Sequence, residues 1–250
     1  MSWWETYFGE LYLRLFATMV TPEGTAQEVA GVLALLDPRS GARILDLACG
    51  QGRHAVILAR LGYSVAGLDR SAALLSRAQE AARGVASEVA WVLGDMRSLP
   101  FGPEFDACLS LFSSFGYFED EAENEEVLHQ VCGVLRPGGA LFLDLSNHER
   151  LHQQPCPTTW QRHGAAIVLE ETRFDPATCR STTTFTWLEG GQADSITHSV
   201  RHYTAPEVAG MLRRAGMEPV ALYGDMDGSA FAAGSKRLIV VARKGGGDDG

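Results

Sequence analysis

The stretch ILDLACGQGRHA, residues 44–55, sets the expected fold class of the chain. A short apolar run leads into two closely spaced glycines, Gly50 and Gly52, and a segment with helical character, 53–61, follows at once. Glycine has no Cβ, so it permits a tight turn and lets backbone N–H groups approach a ligand. The stretch predicts a strand, a ligand-binding turn and a helix.

The next apolar run, 65–69, ends on an acid. Asp69 stands at the end of a predicted second strand, where an acid can accept hydrogen bonds from both hydroxyls of a ribose. Strand, glycine turn, helix, strand and acid follow one another in this order in the nucleoside-binding halves of doubly wound sheets. The order is more specific than the glycine pair alone and indicates a nucleoside-containing ligand.

Apolar strands and amphipathic helices alternate as far as residue 146. Strands are predicted over 89–93, 105–111 and 140–145, and helices over 72–83, capped by Ser71, and 120–135. This alternation predicts a parallel sheet covered by helices on both faces. Ahead of it, a helical pattern spans 3–19, the stretch 21–24 is interpreted as a break, and a second helix is expected over 25–36.

The pattern changes after residue 150. Segments 166–174, 182–188 and 195–203 alternate apolar and polar residues, which is typical of antiparallel strands with one face in water. We therefore expect a small inserted sheet or lid. A capping box at 204–207 predicts a helix that ends at Gly216, and strands are expected over 220–223 and 238–242.

Composition narrows the class of protein. The 250 residues are 46% hydrophobic, which suffices for a full core, and 31 acids against 21 bases give a net charge of −10. This charge disfavours nucleic acid and anionic membrane surfaces as partners, and no apolar run is long enough to span a bilayer. Five dispersed cysteines without a CxxC pair indicate reduced thiols, so we expect a cytoplasmic protein.

Two ligand classes use such a glycine turn. Gly50, Gly52 and Ala55 fit the dinucleotide pattern GxGxxG/A, so a nicotinamide-dependent enzyme has to be considered. S-adenosylmethionine is favoured because Asp46 stands where a carboxylate can face the methionyl ammonium and sulfonium. The late start of the first strand and the Gly94-Asp95-Met96 stretch after the third strand, suited to an adenine edge, favour it as well.

In these stretches the sequence resembles the class I S-adenosylmethionine-dependent methyltransferases. The resemblance rests on LDLACGQGRH (45–54), GLD (67–69), GDMRSLPF (94–101), FDACLSLFSSFGYF (105–118) and LRPGGALFLDL (135–145), in the order of the family. The GDMR and LFSSFGYF stretches look like those of a small-molecule branch with amino-sugar N,N-dimethyltransferases. That branch also has a β insertion after the fifth strand, similar to 166–203. Ala48 stands where many members have a third glycine.

The resemblance implies an α/β, Rossmann-like fold: a seven-stranded sheet with the last strand antiparallel, helices on both faces and a small antiparallel β insertion after the fifth strand. We expect one methyltransferase domain over 1–244. Its parts are a helical cap (1–36), a cofactor-binding core (40–146), an insertion that holds the acceptor (150–203), and the last helix and strands (204–244), with a disordered tail (245–250).

The resemblance also implies the contacts to the cofactor, S-adenosyl-L-methionine. Its methionyl part would lie against Asp46, Ala48, Gly50 and Gly52, with the carbonyl of Leu111 accepting from the ammonium. Its ribose would be held by Asp69, and its adenine would be flanked by Arg70, Asp95 and Met96. Tyr7 and Tyr12, on the aromatic N-terminal helix, are candidates either for contact with the cofactor carboxylate or for packing.

Candidate catalytic residues come from the second half of the chain. His198 and His202 are candidate bases, although either can be a packing residue, and Tyr117 is a candidate hydrogen-bonding group. Strand alternation places His198, Val200 and His202 on one face and residues 197, 199, 201 and 203 on the other, without showing which face meets the ligand. An inward Arg201 would favour an anionic acceptor.

The aromatic side chains after the fourth strand are expected to wall the acceptor site rather than to pack the core. They are Phe112, Phe115, Tyr117 and Phe118.

The segment 148–152 spells HExxH, the motif of zinc proteases. It follows the fifth strand directly instead of lying inside a long amphipathic helix, so we expect no metal and place His148 or His152 near the acceptor.

The sequence thus predicts methyl transfer from S-adenosylmethionine to an amine or hydroxyl of a small molecule, such as a sugar or natural product. A nicotinamide-dependent oxidoreductase and a non-catalytic nucleoside sensor stay open as alternatives.

Overall fold

The computed structural model describes residues 2–17, 19–84, 89–153 and 158–246. The predicted tail from residue 247 onward, and Cys156, lie outside the described residues. The helices are α1 (Trp4–Tyr7), α2 (Glu10–Phe16), α3 (Pro22–Leu36), α4 (Arg53–Arg60), α5 (Ala72–Ala81), α6 (Glu121–Val134), α7 (His148–Gln153) and α8 (Ala205–Arg214). None of these described helices is long and apolar enough to cross a membrane.

The strands form two sheets. They are β1 (Arg43–Leu47), β2 (Ser64–Asp69), β3 (Ala90–Leu93), β4 (Phe105–Ser110), β5 (Leu135–Ser146), β6 (Thr159–His163), β7 (Ala166–Asp175), β8 (Arg180–Glu189), β9 (Gln192–Arg201), β10 (Met217–Tyr223) and β11 (Arg237–Lys244). The larger sheet has the order β10-β11-β5-β4-β1-β2-β3. Its strands β1 to β5 are parallel, whereas β11 is antiparallel to both neighbours. The predicted fold class is confirmed.

The large sheet is buried on both faces because successive side chains of a strand point to opposite sides. Ile44 belongs to the core cluster that contains Val32 of α3 and Leu58 of α4, whereas Leu45 belongs to the cluster on the other face, with residues of α6 and α8. Parallel strands end at the same edge of the sheet, so the loops after β1, β2, β4 and β5 meet there. This edge positions the candidate site.

The inserted segment forms a second, antiparallel sheet of order β6-β7-β8-β9. It contains one strand more than the sequence predicted, because β6 is an edge strand whose side chains are mostly exposed and therefore show no alternation. The sheet is joined to the large one at Gly116, whose carbonyl accepts a hydrogen bond from the Arg201 N–H at 2.8 Å.

Two predictions about the N-terminal region are wrong. The stretch 21–24 is the start of α3 rather than a break, since the Thr21 hydroxyl accepts a hydrogen bond from the Gly24 N–H and Pro22 occupies the first turn. A threonine N-cap followed by proline favours this start. The helix expected over 3–19 is divided into α1 and α2, with Gly9 in an extended conformation between them.

We expect Gly116→Ala to destabilise the protein more than Gly138→Ala. Both glycines have left-handed backbones, with φ of +86° and +76°, but an added Cβ at Gly116 would overlap the carbonyl of Arg201, whereas at Gly138 it would meet open space. Gly138→Ala should therefore cost only the left-handed penalty of about 1–2 kcal/mol, which thermal or urea unfolding can measure. Equal losses of unfolding free energy in the two variants would mean that the backbone around Gly116 and Arg201 relaxes around the added Cβ without further cost.

Candidate active site

A cavity of about 600 Å³ lies between the carboxyl ends of the parallel strands, helices α1 and α2, and one face of the inserted sheet. Most of the residues predicted for the site line it: Tyr7, Tyr12, Ala48, Gly50, Asp69, Arg70, Asp95, Met96, Tyr117, His198 and His202. Asp46, Gly52 and Leu111 are not among the residues that line it.

The glycine turn after β1 uses its N–H groups within the protein. The Gly50 N–H donates to the Asp69 carboxylate at 2.8 Å, and the Gly52 N–H donates to the Cys49 carbonyl at 3.0 Å. Gly50 lines the cavity with a φ of +56°. At Gly52, an added Cβ would overlap the ring of Trp91. The glycines therefore shape and pack the turn. The sequence predicted that their N–H groups approach a ligand, but both groups donate to acceptors within the protein.

Asp69 is nearly buried at the end of β2. Its two oxygens accept from the N–H groups of Gly50 and Ser71, each at 2.8 Å, and burial raises the pKa of the carboxyl. A carboxylate has about four lone-pair positions, so its oxygens retain capacity towards the cavity, which Asp69 lines. This arrangement suits two ribose hydroxyls.

At the end of the cavity next to β3, charged side chains surround Asp95. Its carboxylate is 2.7 Å from Arg70 and 2.6 Å from Arg97. Burial acts to raise the pKa of Asp95, but hydrogen bonds and charge from Arg97 and the charge of Arg70 outweigh it and lower the pKa. The Arg70 guanidinium lies 4.1 Å from the centre of the Trp4 ring. Arg70 and Trp4 form a flat wall suited to a base.

Aromatic side chains from the loop after β4 form a further part of the wall. Phe112, Tyr117 and Phe118 line the cavity as expected. Phe115 does not, because it is buried in the core, with its ring centre 5.5 Å from that of Tyr203. Leu111 is also a core residue, and its carbonyl accepts a hydrogen bond from the Ser114 hydroxyl at 2.8 Å. The carbonyl predicted to meet the ligand ammonium thus already has an internal partner.

The histidine face of β9 is the face that meets the cavity. His198 is half-buried there, its Nδ1 is buried without a hydrogen-bond partner among the described residues, and burial lowers its pKa to about 4. His202 contacts the Ser181 hydroxyl at 2.6 Å, and burial lowers its pKa to about 3. Burial raises the pKa of the Tyr117 phenol well above its ordinary value. At neutral pH both imidazoles are uncharged and the phenol keeps its proton.

Arg201 points to the other side of the strand. Its guanidinium pairs with Glu121 at 3.2 Å and Glu207 at 2.8 Å. It contributes nothing to the recognition of an anionic acceptor within the cavity.

Comparison with known proteins agrees with this geometry. Residues 44–139 match the family model described as a methyltransferase domain. In this region the chain is similar to a methyltransferase domain. It is 30% identical over 167 residues to glycine N-methyltransferase of Rattus norvegicus, a match that covers 61% of this chain and 53% of that protein. The chain thus spans about half the length of this relative.

Two solved structures share the fold of the methyltransferase domain. The CcbJ methyltransferase of Streptomyces caelestis gives a TM-score of 0.83 at 24% identity, covering 96% of this chain and 99% of that one. CalS10, an amino pentose methyltransferase of Micromonospora echinaspora with bound S-adenosylmethionine, gives 0.72 at 21% identity, covering 94% and 97%. The predicted family and cofactor, S-adenosylmethionine, are confirmed.

Two buried polar groups without hydrogen-bond partners, on Asp46 and Tyr7, fit this cofactor. Asp46 is 1% exposed, and its Oδ2 has no hydrogen-bond partner among the described residues. Burial raises its pKa to about 7. A buried carboxylate oxygen without a partner costs free energy, and a cationic ligand group such as the methionyl ammonium reduces that cost. The Tyr7 hydroxyl is likewise buried without a partner.

The HExxH segment forms the short helix α7. The rings of His148 and His152 stack with centres 6.0 Å apart and both contact Phe174. They do not line the cavity, contrary to the expectation, whereas Arg150 and Leu151 between them do. Across the described residues, no group of three His, Cys, Asp or Glu side chains has a geometry suited to a metal ion.

The sequence did not predict several of the residues that line the cavity. They are Trp3, Trp4, Phe8 and Phe16 of the N-terminal region, and Glu170, Thr172, Ser181, Thr183 and Phe185 of the inserted sheet. The Trp3-Trp4 pair near the start of an aromatic helix is a signal that could have indicated the first group. The second group carries only an alternation pattern, which does not indicate which face is covered.

Asp46→Asn is expected to stabilise the ligand-free protein and to weaken binding of S-adenosylhomocysteine. Because the folded-state pKa is about 7 against an ordinary 3.8, the folded protein loses stability as pH rises from 4 to beyond 7. The asparagine removes this loss, so its gain in Tm should be larger at pH 8 than at pH 5.

Calorimetric titration should show at least a tenfold loss of affinity for S-adenosylhomocysteine, of the order of one hydrogen bond to a charged group, about 1.5 kcal/mol. Equal Tm gains at both pH values, or unchanged affinity, would contradict the role of Asp46.

Proposed function

We propose that this chain transfers the methyl group of S-adenosylmethionine to an amine or hydroxyl of a small polar acceptor. One observation carries the proposal: a single cavity extends from Asp69, at the end of β2, to the histidine face of the inserted sheet. The cofactor would occupy the strand-end side, and the acceptor would lie against β7, β8 and β9. The division into a cap (1–36), core (40–146) and acceptor insertion (150–203) is part of this proposal.

When bound, S-adenosylmethionine supplies a methyl group on a sulfonium, which departs as a thioether when the acceptor lone pair forms the new bond. The protein has to align the acceptor and exclude water. Aromatic rings from two segments do this: Trp3 and Phe8 from the N-terminal region, and Tyr117 from the loop after β4, with the rings of Trp3 and Tyr117 centred 5.2 Å apart.

Of the three candidate catalytic residues, His198 is the best placed to accept a proton. Its Nδ1 is buried without a partner and its imidazole is neutral at pH 7, whereas the Nε2 of His202 is engaged with Ser181. Tyr117 keeps its proton and serves as a donor. We assign His198 as the base, and His202 and Tyr117 as positioning groups.

The acceptor class follows from the size and charge of the molecule. A cavity of about 600 Å³ that holds a nucleoside cofactor leaves room for a small molecule only. A net charge of −10 disfavours nucleic acids as acceptors. The matched relatives act, by their names, on glycine and on an amino pentose, and these are both amines. We place the reaction in the cytoplasm.

The first experiment is calorimetric titration with S-adenosylhomocysteine and, in parallel, NADH. We expect micromolar binding of S-adenosylhomocysteine alone, and its loss in Asp69→Ala, because this carboxylate both shapes the turn and faces the cavity. Binding of NADH alone would replace the proposal by a nicotinamide-dependent oxidoreductase. Binding of S-adenosylhomocysteine without turnover of any amine or hydroxyl would indicate a sensor.

The pH profile provides a second prediction. Because burial lowers the pKa of His198 to about 4 and that of His202 to about 3, kcat/KM should show no imidazole ionisation between about pH 5.5 and 8. His198→Asn should reduce kcat at least tenfold, whereas His202→Asn should mainly raise the KM of the acceptor. An inflection near the ordinary histidine pKa, absent in His198→Asn, would show that the imidazole is exposed to solvent during turnover.

A further inference from the structure

The cavity face of the inserted sheet is built from three cross-strand rows. The pairing of β7 with β8 and of β8 with β9 defines them as Glu170–Phe185–Ile196, Thr172–Thr183–His198 and Phe174–Ser181–Val200. Among these nine side chains, Glu170 is the only one that carries a formal charge at neutral pH, since burial keeps His198 neutral. A charge on a face otherwise made of aromatic, aliphatic and hydroxyl groups requires an explanation.

The carboxylate of Glu170 is half-buried and lines the cavity. No hydrogen bond or ion pair to it occurs among the described residues, whereas the polar groups of the neighbouring rows are paired. The hydroxyls of Thr172 and Thr183 are 2.9 Å apart, and Ser181 contacts His202. Desolvating a charge without a partner is costly, so the position of Glu170 suits a partner that arrives from outside the protein.

Two other groups without protein partners belong to residues that line the same cavity. The Tyr7 hydroxyl and the His198 Nδ1 are both buried and lack hydrogen bonds, and their rings are centred 4.9 Å apart. Burial raises the pKa of Tyr7, and neighbouring groups, including the charge of Glu170, raise it further. The Tyr7 hydroxyl thus lies within the electrostatic range of Glu170. A carboxylate, a phenol and an imidazole nitrogen share this part of the cavity.

Four cationic side chains line the cavity: Arg70, Arg150, Lys236 and Arg237. Each of them has a partner, Arg150 included. Arg237 pairs with Asp144 at 2.6 Å and with Glu28 at 2.9 Å, and Arg70 pairs with Asp95. Lys236 lies 3.9 Å from Asp225. Glu170 is thus the charged group of this face that has no ion pair within the described residues. Its negative charge makes the acceptor end of the cavity favourable for a cation.

We propose that Glu170 is the specificity-determining residue for the acceptor: its carboxylate binds the ammonium group and thereby selects amines over alcohols of the same shape. This inference rests on the proposed function. The ammonium gives one proton to His198 Nδ1 and then to solvent. The freed nitrogen lone pair forms the N–C bond as the C–S bond breaks, and the product is a methylated ammonium that keeps the positive charge.

The test uses matched probes with the S-adenosylhomocysteine-saturated protein. Calorimetric titrations compare an aminohexose with its parent hexose, and cyclohexylamine with cyclohexanol. In the wild type we expect each amine to bind at least tenfold more tightly than its alcohol, and Glu170→Gln to abolish this difference. Glu171→Gln is the matched control, since Glu171 is the next residue on the strand and is exposed on the other face.

Three results would overturn the proposal: equal affinities for amine and alcohol in the wild type, no binding of either amine, or an amine preference that persists in Glu170→Gln. For any amine that is methylated, Glu170→Gln should raise KM at least tenfold with a smaller effect on kcat. Affinity for S-adenosylhomocysteine should be unchanged in both variants. Its absence in the wild type would instead reject the proposed function, so the two failures are distinguishable.

Discussion

The two hydrogen bonds accepted by the Asp69 carboxylate hold the site together. One comes from the Gly50 N–H, in the turn after β1, and the other from the Ser71 N–H, at the start of α5. The Ser71 hydroxyl in turn donates to the Phe8 carbonyl at 2.7 Å and caps α5 through the Leu74 N–H. One buried acid therefore links the glycine turn, a core helix and the N-terminal aromatic segment, which are three walls of the cavity.

The strand ends contain two further buried acids, Asp46 and Asp144, whose burial costs folding free energy. Burial raises the pKa of Asp46 to about 7 and that of Asp144 to about 6. Asp144 has partners, since it accepts from the Phe112 N–H at 2.9 Å and pairs with Arg237. It thereby supports the left-handed backbone of Phe112, whose φ is +58°. Asp46 has no such support on Oδ2, and an acid of this kind is typical of a site that exchanges stability for ligand binding.

The strand-end residues could be predicted because each directly follows a short apolar run, and parallel strands bring those ends together. The sequence does not show which protein groups compete with a ligand for a given N–H or carbonyl. It therefore did not predict that the Gly50 N–H donates to Asp69 or that the Leu111 carbonyl accepts from Ser114. Phe115 was misplaced for a related reason: in a loop, periodicity does not indicate which aromatic ring turns into the core. Ala48 has a φ of +56°, which explains why glycine suits this position.

The side of the cavity formed by the inserted sheet was the least predictable part, because its geometry depends on contacts between distant segments. Leu15 of α2 packs against Val168 and Phe185 of the inserted sheet, and Arg14 lies over the ring of Trp187 at 4.3 Å. Alternation along β9 divides its side chains into two faces, but only contacts with the N-terminal segment, including that of the Tyr7 ring with His198, determine that the His198 face is covered. The same N-terminal segment also accepts a hydrogen bond from the Ser71 hydroxyl, two residues after Asp69, through the carbonyl of Phe8. One segment of the chain therefore packs against both ends of the cavity.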